Sequence, residues 1–176
     1  MWLFIKIRNG GMIQKLNRMK LRWCALLVLV AVLSSVKSDL LSQDFGDSKS
    51  STLVTKAWEA LAAGEHDNVT AYTKKCCELY QDEAKKQQSS LSDFAGGDDD
   101  KIHSYWALND VGTILFIQGE SLSQQGKSSE AVEAYKSLVD DYGFCQCWDP
   151  QGWFWKPSEA AVAKIKELDF DAQLDD

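Results

Sequence analysis

Residues 102–143 read IHSYWALNDVGTILFIQGESLSQQGKSSEAVEAYKSLVDDYG, and this stretch decides the fold. Ile102, Tyr105, Trp106, Val111, Leu115, Gly119 and Leu122 recur at helical spacing, and the pattern stops at Gly126. A second stripe runs through Ala131, Tyr135, Leu138 and Tyr142. Side chains three or four apart share one face of a helix, so both stripes predict amphipathic helices. Ser128 and Ser129 stand where they can cap the second helix, and Gly143 where it can end. Gly119 and Ala131 are small where the two helices of a hairpin must approach. Leu115, Leu122, Tyr135 and Leu138 are large enough to fill the space around that contact.

Working outward, the same period appears on both sides. Leu53, Ala57, Ala60 and Leu61 form a helix that Gly64 stops. Val69, Tyr72, Cys76, Leu79 and Ala84 form the apolar stripe of a helix about twenty residues long, whose other face carries seven charged residues between Lys74 and Lys86. Ser89 to Lys101, with Gly96-Gly97-Asp98-Asp99-Asp100, breaks the period and reads as an exposed acidic loop. Pro157 opens a short closing helix with Ala161, Val162, Ile165 and Leu168 facing inward. No stretch alternates long enough to be a strand. The expectation is an all-α domain over residues 52–168: two irregular hairpins and a C-terminal closing helix. A polar linker (39–51) precedes it and an acidic tail (169–176) follows.

The 176 residues are 45% hydrophobic and 26% charged, which excludes a low-complexity or collagenous chain. Charge is unevenly spread. Residues 1–38 hold seven of nineteen basic residues and no acidic one, so the rest carries twelve basic against twenty-six acidic, a net of −14. Such a body is unsuited to neutralising nucleic-acid phosphates or to anionic lipid heads. From Met19 the chain reads MKLRWCALLVLVAVLSSVKSD. Its uncharged run, Trp23 to Val36, spans about 21 Å as a helix, short of the roughly 30 Å hydrocarbon core. Basic residues before it and small polar ones after it predict a secretory signal peptide over 1–38, cut before Asp39. Met19 or Met12 suits such a leader better as its start than Met1. An uncut leader is the one route by which the chain would hold to a membrane, and the predicted destination is the periplasm or beyond.

Leu115, Gly119, Leu122, Ala131, Tyr135 and Leu138 occupy the places that the tetratricopeptide pattern W-x2-L-G-x2-Y…A-x3-F…P assigns to large and close-approach residues. Gln118 departs from it where leucine is usual, and Gly143 stands where proline is frequent. With Gly64 aligned to Gly126, Leu53, Ala57, Ala60, Val69 and Cys76 fit a second unit, while Lys56 and Thr73 do not. The two glycines lie 62 residues apart, so the repeat carries an insertion around the acidic loop. The chain thus resembles small exported bacterial tetratricopeptide proteins. Tyr105–Asp110, Cys147–Pro150 and Gly152–Pro157 resemble a bacterial group often labelled "beta-glucanase precursor". The repeat resemblance implies a module that holds a peptide or partner protein in a concave groove. The label would imply a polysaccharide-active protein or a carbohydrate-binding auxiliary factor, yet the E-x-D-x-x-E strand of jelly-roll glucanases is absent.

Few residues could carry chemistry. Phe144–Pro157 (FCQCWDPQGWFWKP) packs Trp148, Trp153 and Trp155 around an Asp-Pro-x-Gly turn. It reads as a plug over the open end of the last hairpin or as an aromatic ligand platform. Tyr105, Asn109 and Asp110 are groove candidates, since Asn109 and Asp110 are polar beside an apolar stripe and could bond a peptide backbone. The alternative is that they tie neighbouring helices together. Beyond the leader, Cys76-Cys77 and Cys145-x-Cys147 invite a disulfide between the pairs in an oxidising compartment. A thiolate metal site and a plain core role for Cys76 are the alternatives; zinc-ribbon spacing is missing. His66 and His103 read as solvated, and Asp98–Asp100 lack the spaced ligands of an EF-hand. No G-x-S-x-G, H-E-x-x-H or phosphate-cradling loop is present. The residues call for no cofactor or metal, and the expected function is a non-enzymatic interaction module. A polysaccharide-acting protein and an oligomerising envelope component are its rivals.

Overall fold

The computed structural model describes residues 43–174; the leader and its expected cleavage point lie outside these. Six helices and one small hairpin follow in order: α1 (Ser50–Ala63), α2 (His66–Ser89), α3 (Asp99–His103), α4 (Trp106–Gln124), α5 (Ser128–Asp141), β1 (Cys147–Asp149), β2 (Trp153–Trp155) and α6 (Pro157–Leu174). The fold is all-α, with a two-stranded antiparallel ribbon as its one sheet among the described residues. Helix α4 lies at the centre, packed against α1, α2, α5 and α6.

The two hairpins turn in the same way. Gly64 and Gly126 both sit at φ +72°, left-handed backbone that glycine adopts without a Cβ penalty. In each, the N–H of the next residue reaches back five positions: Glu65 to the Ala60 carbonyl at 2.9 Å and Lys127 to the Leu122 carbonyl at 3.0 Å. This satisfies orphan carbonyls at the helix end and sends the chain back along the helix it has just left. Hydrophobic burial then closes each pair. Leu53, Ala57 and Val69 are buried in the first, and Ile117, Ala131, Tyr135 and Leu138 in the second. Leu115 packs against this core and Leu122 belongs to it.

The contact expected at Gly119 is present. A Cβ there would collide with the Tyr135 ring, so the aromatic face lies directly on the α4 backbone. One heptad earlier, Gly112 does the same for Cys145, with Leu138 beside it. The Tyr135 hydroxyl donates to Glu120 at 2.5 Å, and Lys164 of α6 reaches the same carboxylate oxygen at 3.3 Å. The closing helix is thereby tied to the second hairpin.

Several expectations are corrected. Helix α1 begins at Ser50, and the segment before it is packed: Phe45 meets Tyr72 edge-on at 6.1 Å, and the Tyr80 hydroxyl donates to the Ser48 carbonyl at 2.9 Å. Phe45 and Ser48 therefore bind this segment to the domain. Leu79 is 48% exposed, because the inward row of α2 passes through Cys76 and Tyr80 instead. The acidic stretch is partly helical from Asp99, its Asp98 side chain capping the Lys101 N–H at 2.9 Å, and Ala95 is buried. A break at Ser104-Tyr105 separates α3 from α4, since the Tyr105 N–H and the Asn109 side chain both donate to the Ile102 carbonyl. Neither Ser128 nor Ser129 caps α5, whose N-cap is Lys127. Helix α6 continues through Leu174, so most of the expected tail is helical, and Val162 faces outward.

Candidate functional site

The site is built on the first turns of α4. Trp106, Asn109, Asp110 and Thr113 fall at i, i+3, i+4 and i+7, a single stripe that faces α1 and the β-hairpin. Ser51, Val54 and Thr55 of α1 form the opposite wall at the same helical spacing. His103, Gln146, Cys147, Trp148 and Phe154 close the third side, leaving a cleft of about 440 Å³. A neighbouring cavity of about 330 Å³, lined by Lys49, Ser50 and Tyr80, shares Ser51, Trp106 and Asp110 with it.

The hairpin places its aromatic side chains by strand alternation. Gly152 (φ +105°) closes the turn with an N–H to the Asp149 carbonyl at 2.9 Å, while the Asp149 carboxylate accepts from the Gln151 N–H at 2.8 Å. Cys147 then pairs with Trp155, Trp148 with Phe154 and Asp149 with Trp153. Trp148 and Phe154 meet edge-on at 5.0 Å, and Phe154 meets the His103 ring at 5.1 Å, making an aromatic wall for the cleft. On the other face, Trp155 packs against Phe116 of α4 at 5.2 Å.

The expected residues therefore separate. Asp110 and Trp148 line the cleft. Trp155 is the plug, partly buried against the core, whereas Trp153, two residues nearer the turn, is 49% exposed and does not pack on the core. Tyr105 also packs against the core and does not line the cleft. Asn109 is a buried tie as well as a wall: its amide donates to the Ile102 carbonyl at 2.9 Å, and its carbonyl accepts from the Gln146 N–H at 2.9 Å. Both ends of that side chain are engaged, and it fixes α3 and the hairpin to α4. Ser51, Val54, Thr55, Trp106, His103 and Phe154 were not among the expected site residues. Their signal is spatial, since they come from four separate segments.

Asp110 is the unusual group. Its carboxylate accepts from the Ser50 hydroxyl at 2.5 Å, and Ser50 is itself buried. Burial nevertheless raises its pKa above the ordinary carboxylate value, the Ser50 hydrogen bond only partly opposing this. Among the described residues it takes part in no salt bridge.

All four cysteines described are free thiols, so the expected disulfide does not join the two pairs. Cys145 is held against Gly112 and Leu138 on the α5 side of α4, while Cys76 and Cys77 belong to α2. Burial pushes the Cys77 thiol up to about 11 and Cys145 up to about 12, and raises Cys76 and Cys147 as well. Such thiols stay protonated at neutral pH and make poor nucleophiles. The His66 Nδ1 lies 2.9 Å from the fully buried Ser121 hydroxyl, a tie between the two hairpins. No cluster of three or more His, Cys, Asp or Glu residues among those described could hold a metal ion. No helix among them is long and apolar enough to cross a membrane.

The class defined by these features is an all-α protein of two similarly turned hairpins with an aromatic β-ribbon beside an open cleft. No family model, curated protein or solved structure matches the chain.

Proposed function

We propose that the chain is an exported, non-enzymatic module of tetratricopeptide type that holds a peptide segment of a partner protein in the cleft between α1, α4 and the β-hairpin. One observation carries this reading. Two large indoles, Trp106 at 45% and Trp148 at 44% exposure, flank an open cleft whose walls offer hydroxyls and a carboxylate. Exposed aromatic side chains give large contact area at little cost in conformational freedom, and polar groups between them can bond an extended backbone. The similar turns at Gly64 and Gly126 support the repeat reading, since equivalent hairpins stack their first helices side by side. Export rests on the basic head and apolar run ahead of Asp39.

Selection of a random-peptide display library against the full chain tests the binding role. Recovered sequences are expected to converge on one short pattern. Their binding should be lost in Thr55→Trp, which fills the cleft, and kept in Glu133→Gln on α5. Sequences that fail to converge, or that bind Thr55→Trp unchanged, contradict the reading.

A further inference from the structure

We infer that the cleft receives a cationic side chain, the lysine or arginine of a bound peptide, with Asp110 as its counter-charge and the Trp106 and Trp148 indoles beside it. The inference rests on the peptide-groove reading and adds the chemistry of the residue recognised.

The argument starts from what the protein itself fails to supply. Asp110 stands at the junction of the two cavities, lining both. Its one hydrogen bond among the described residues comes from Ser50. The basic side chains that line the two cavities are otherwise engaged. Lys49 lines the smaller cavity but pairs with Asp47 at 3.0 Å, and His103 turns its ring onto Phe154. Thr113, the next polar group on the same stripe, gives its hydroxyl to the Asn109 carbonyl at 2.7 Å. A partly buried carboxylate with a single neutral donor is under-compensated, and a cation arriving from outside completes it.

The surroundings choose among cations. A metal ion needs several ligands, and no group of three or more His, Cys, Asp or Glu residues among those described could hold one. A side-chain cation has different needs: an anion for its head, aromatic faces near it, and apolar walls for its methylene stem. Asp110, the two indoles and Val54 provide these in one cleft. The net charge of −14 beyond residue 38 draws such a ligand in. The burial that raises the Asp110 pKa agrees with this picture, since a bound cation would restore the charged form.

Four blocked pentapeptides, Ac-Ala-Ala-X-Ala-Ala-NH2 with X as Lys, Arg, Gln or Glu, titrated into the full chain and followed by tryptophan emission and calorimetry, test the inference. The Lys or Arg peptide is expected to bind at least tenfold more tightly than the Gln peptide, and the Glu peptide most weakly. Asp110→Asn, which keeps an acceptor for Ser50, should erase the preference for the cation; Glu133→Gln should leave it intact. Equal binding of the Gln and Lys peptides would overturn the cationic inference and leave the peptide-groove reading standing. So would a preference that survives Asp110→Asn. Absence of binding by all four peptides would overturn the inference, and non-convergent display selection would in addition remove the reading beneath it.

Discussion

Helix α4 shows two faces that follow opposite rules. Toward α5 it presents Gly112, Phe116 and Gly119, and every gap is filled: Cys145 against the first, Tyr135 and Trp155 against the second, the Tyr135 ring against the third. Toward α1 it presents Trp106, Asn109, Asp110 and Thr113, and here a cleft stays open with an indole half exposed and a carboxylate partly buried. The first face is fitted to its own chain. The second leaves groups under-compensated where a partner could satisfy them, which is how binding sites depart from the packing of a core.

If the closed face depends on backbone contact, the largest losses must come from filling it. Gly119→Val should destabilise the chain by about 3 kcal/mol or more, outweighing any gain in helix propensity, because the added atoms fall within the Tyr135 ring. A chemical denaturation curve like that of the parent would show that the close approach does not govern the second hairpin. The aromatic ribbon gives the next contrast. Trp155→Ala should cost about 2–4 kcal/mol and Trp153→Ala less than about 0.5, since only the former packs on Phe116. Equal losses from both would mean that the whole ribbon acts as a plug. Gly112→Ala should cost about 1–3 kcal/mol, and combining it with Cys145→Ala should recover part of that by removing the sulfur from its path. Additive losses in the double variant would place the strain elsewhere.

The open face should respond in the other direction. Because the folded-state pKa of Asp110 is raised, the folded chain binds its proton more readily than the unfolded chain does. This contribution to stability is present at low pH and is lost as pH climbs from the unfolded carboxylate value through the folded one. Asp110→Asn should therefore be the more stable protein at pH 7. Its advantage should vanish as pH falls below about 4, where Asp110 is protonated in both states. Melting curves between pH 3 and pH 8 would show this, and a difference that stayed constant would rule out a desolvated carboxylate.

The closed face was the more legible of the two in the sequence. Glycine at 119, alanine at 131 and tyrosine at 135 define a helix contact at fixed offsets, and turn glycines at 64 and 126 mark where each hairpin reverses. Gly112 carried the same signal, a glycine inside a helical stripe seven residues before Gly119, but its partner Cys145 lies 33 positions away, beyond any local period. Leu79 was misplaced because positions three and four after Cys76 are both inward by period, and the larger Tyr80 took the place. The ribbon strands, three residues each, are too short for alternation to show, so the different fates of Trp153 and Trp155 could not be read. The cleft was legible only through Asp110 and Trp148, plus Asn109 as a wall. Its other walls come from α1, α3, α4 and β2, and no spacing rule joins those segments.

The most direct test of the two-faced account is one set of thermal melts at pH 7. The parent chain and Asp110→Asn would be heated side by side, with and without excess lysine pentapeptide. Asp110→Asn should start higher than the parent and stay where it starts, while the parent should rise when the peptide is added. An Asp110→Asn protein that melts lower, or that rises with peptide as far as the parent does, would contradict it.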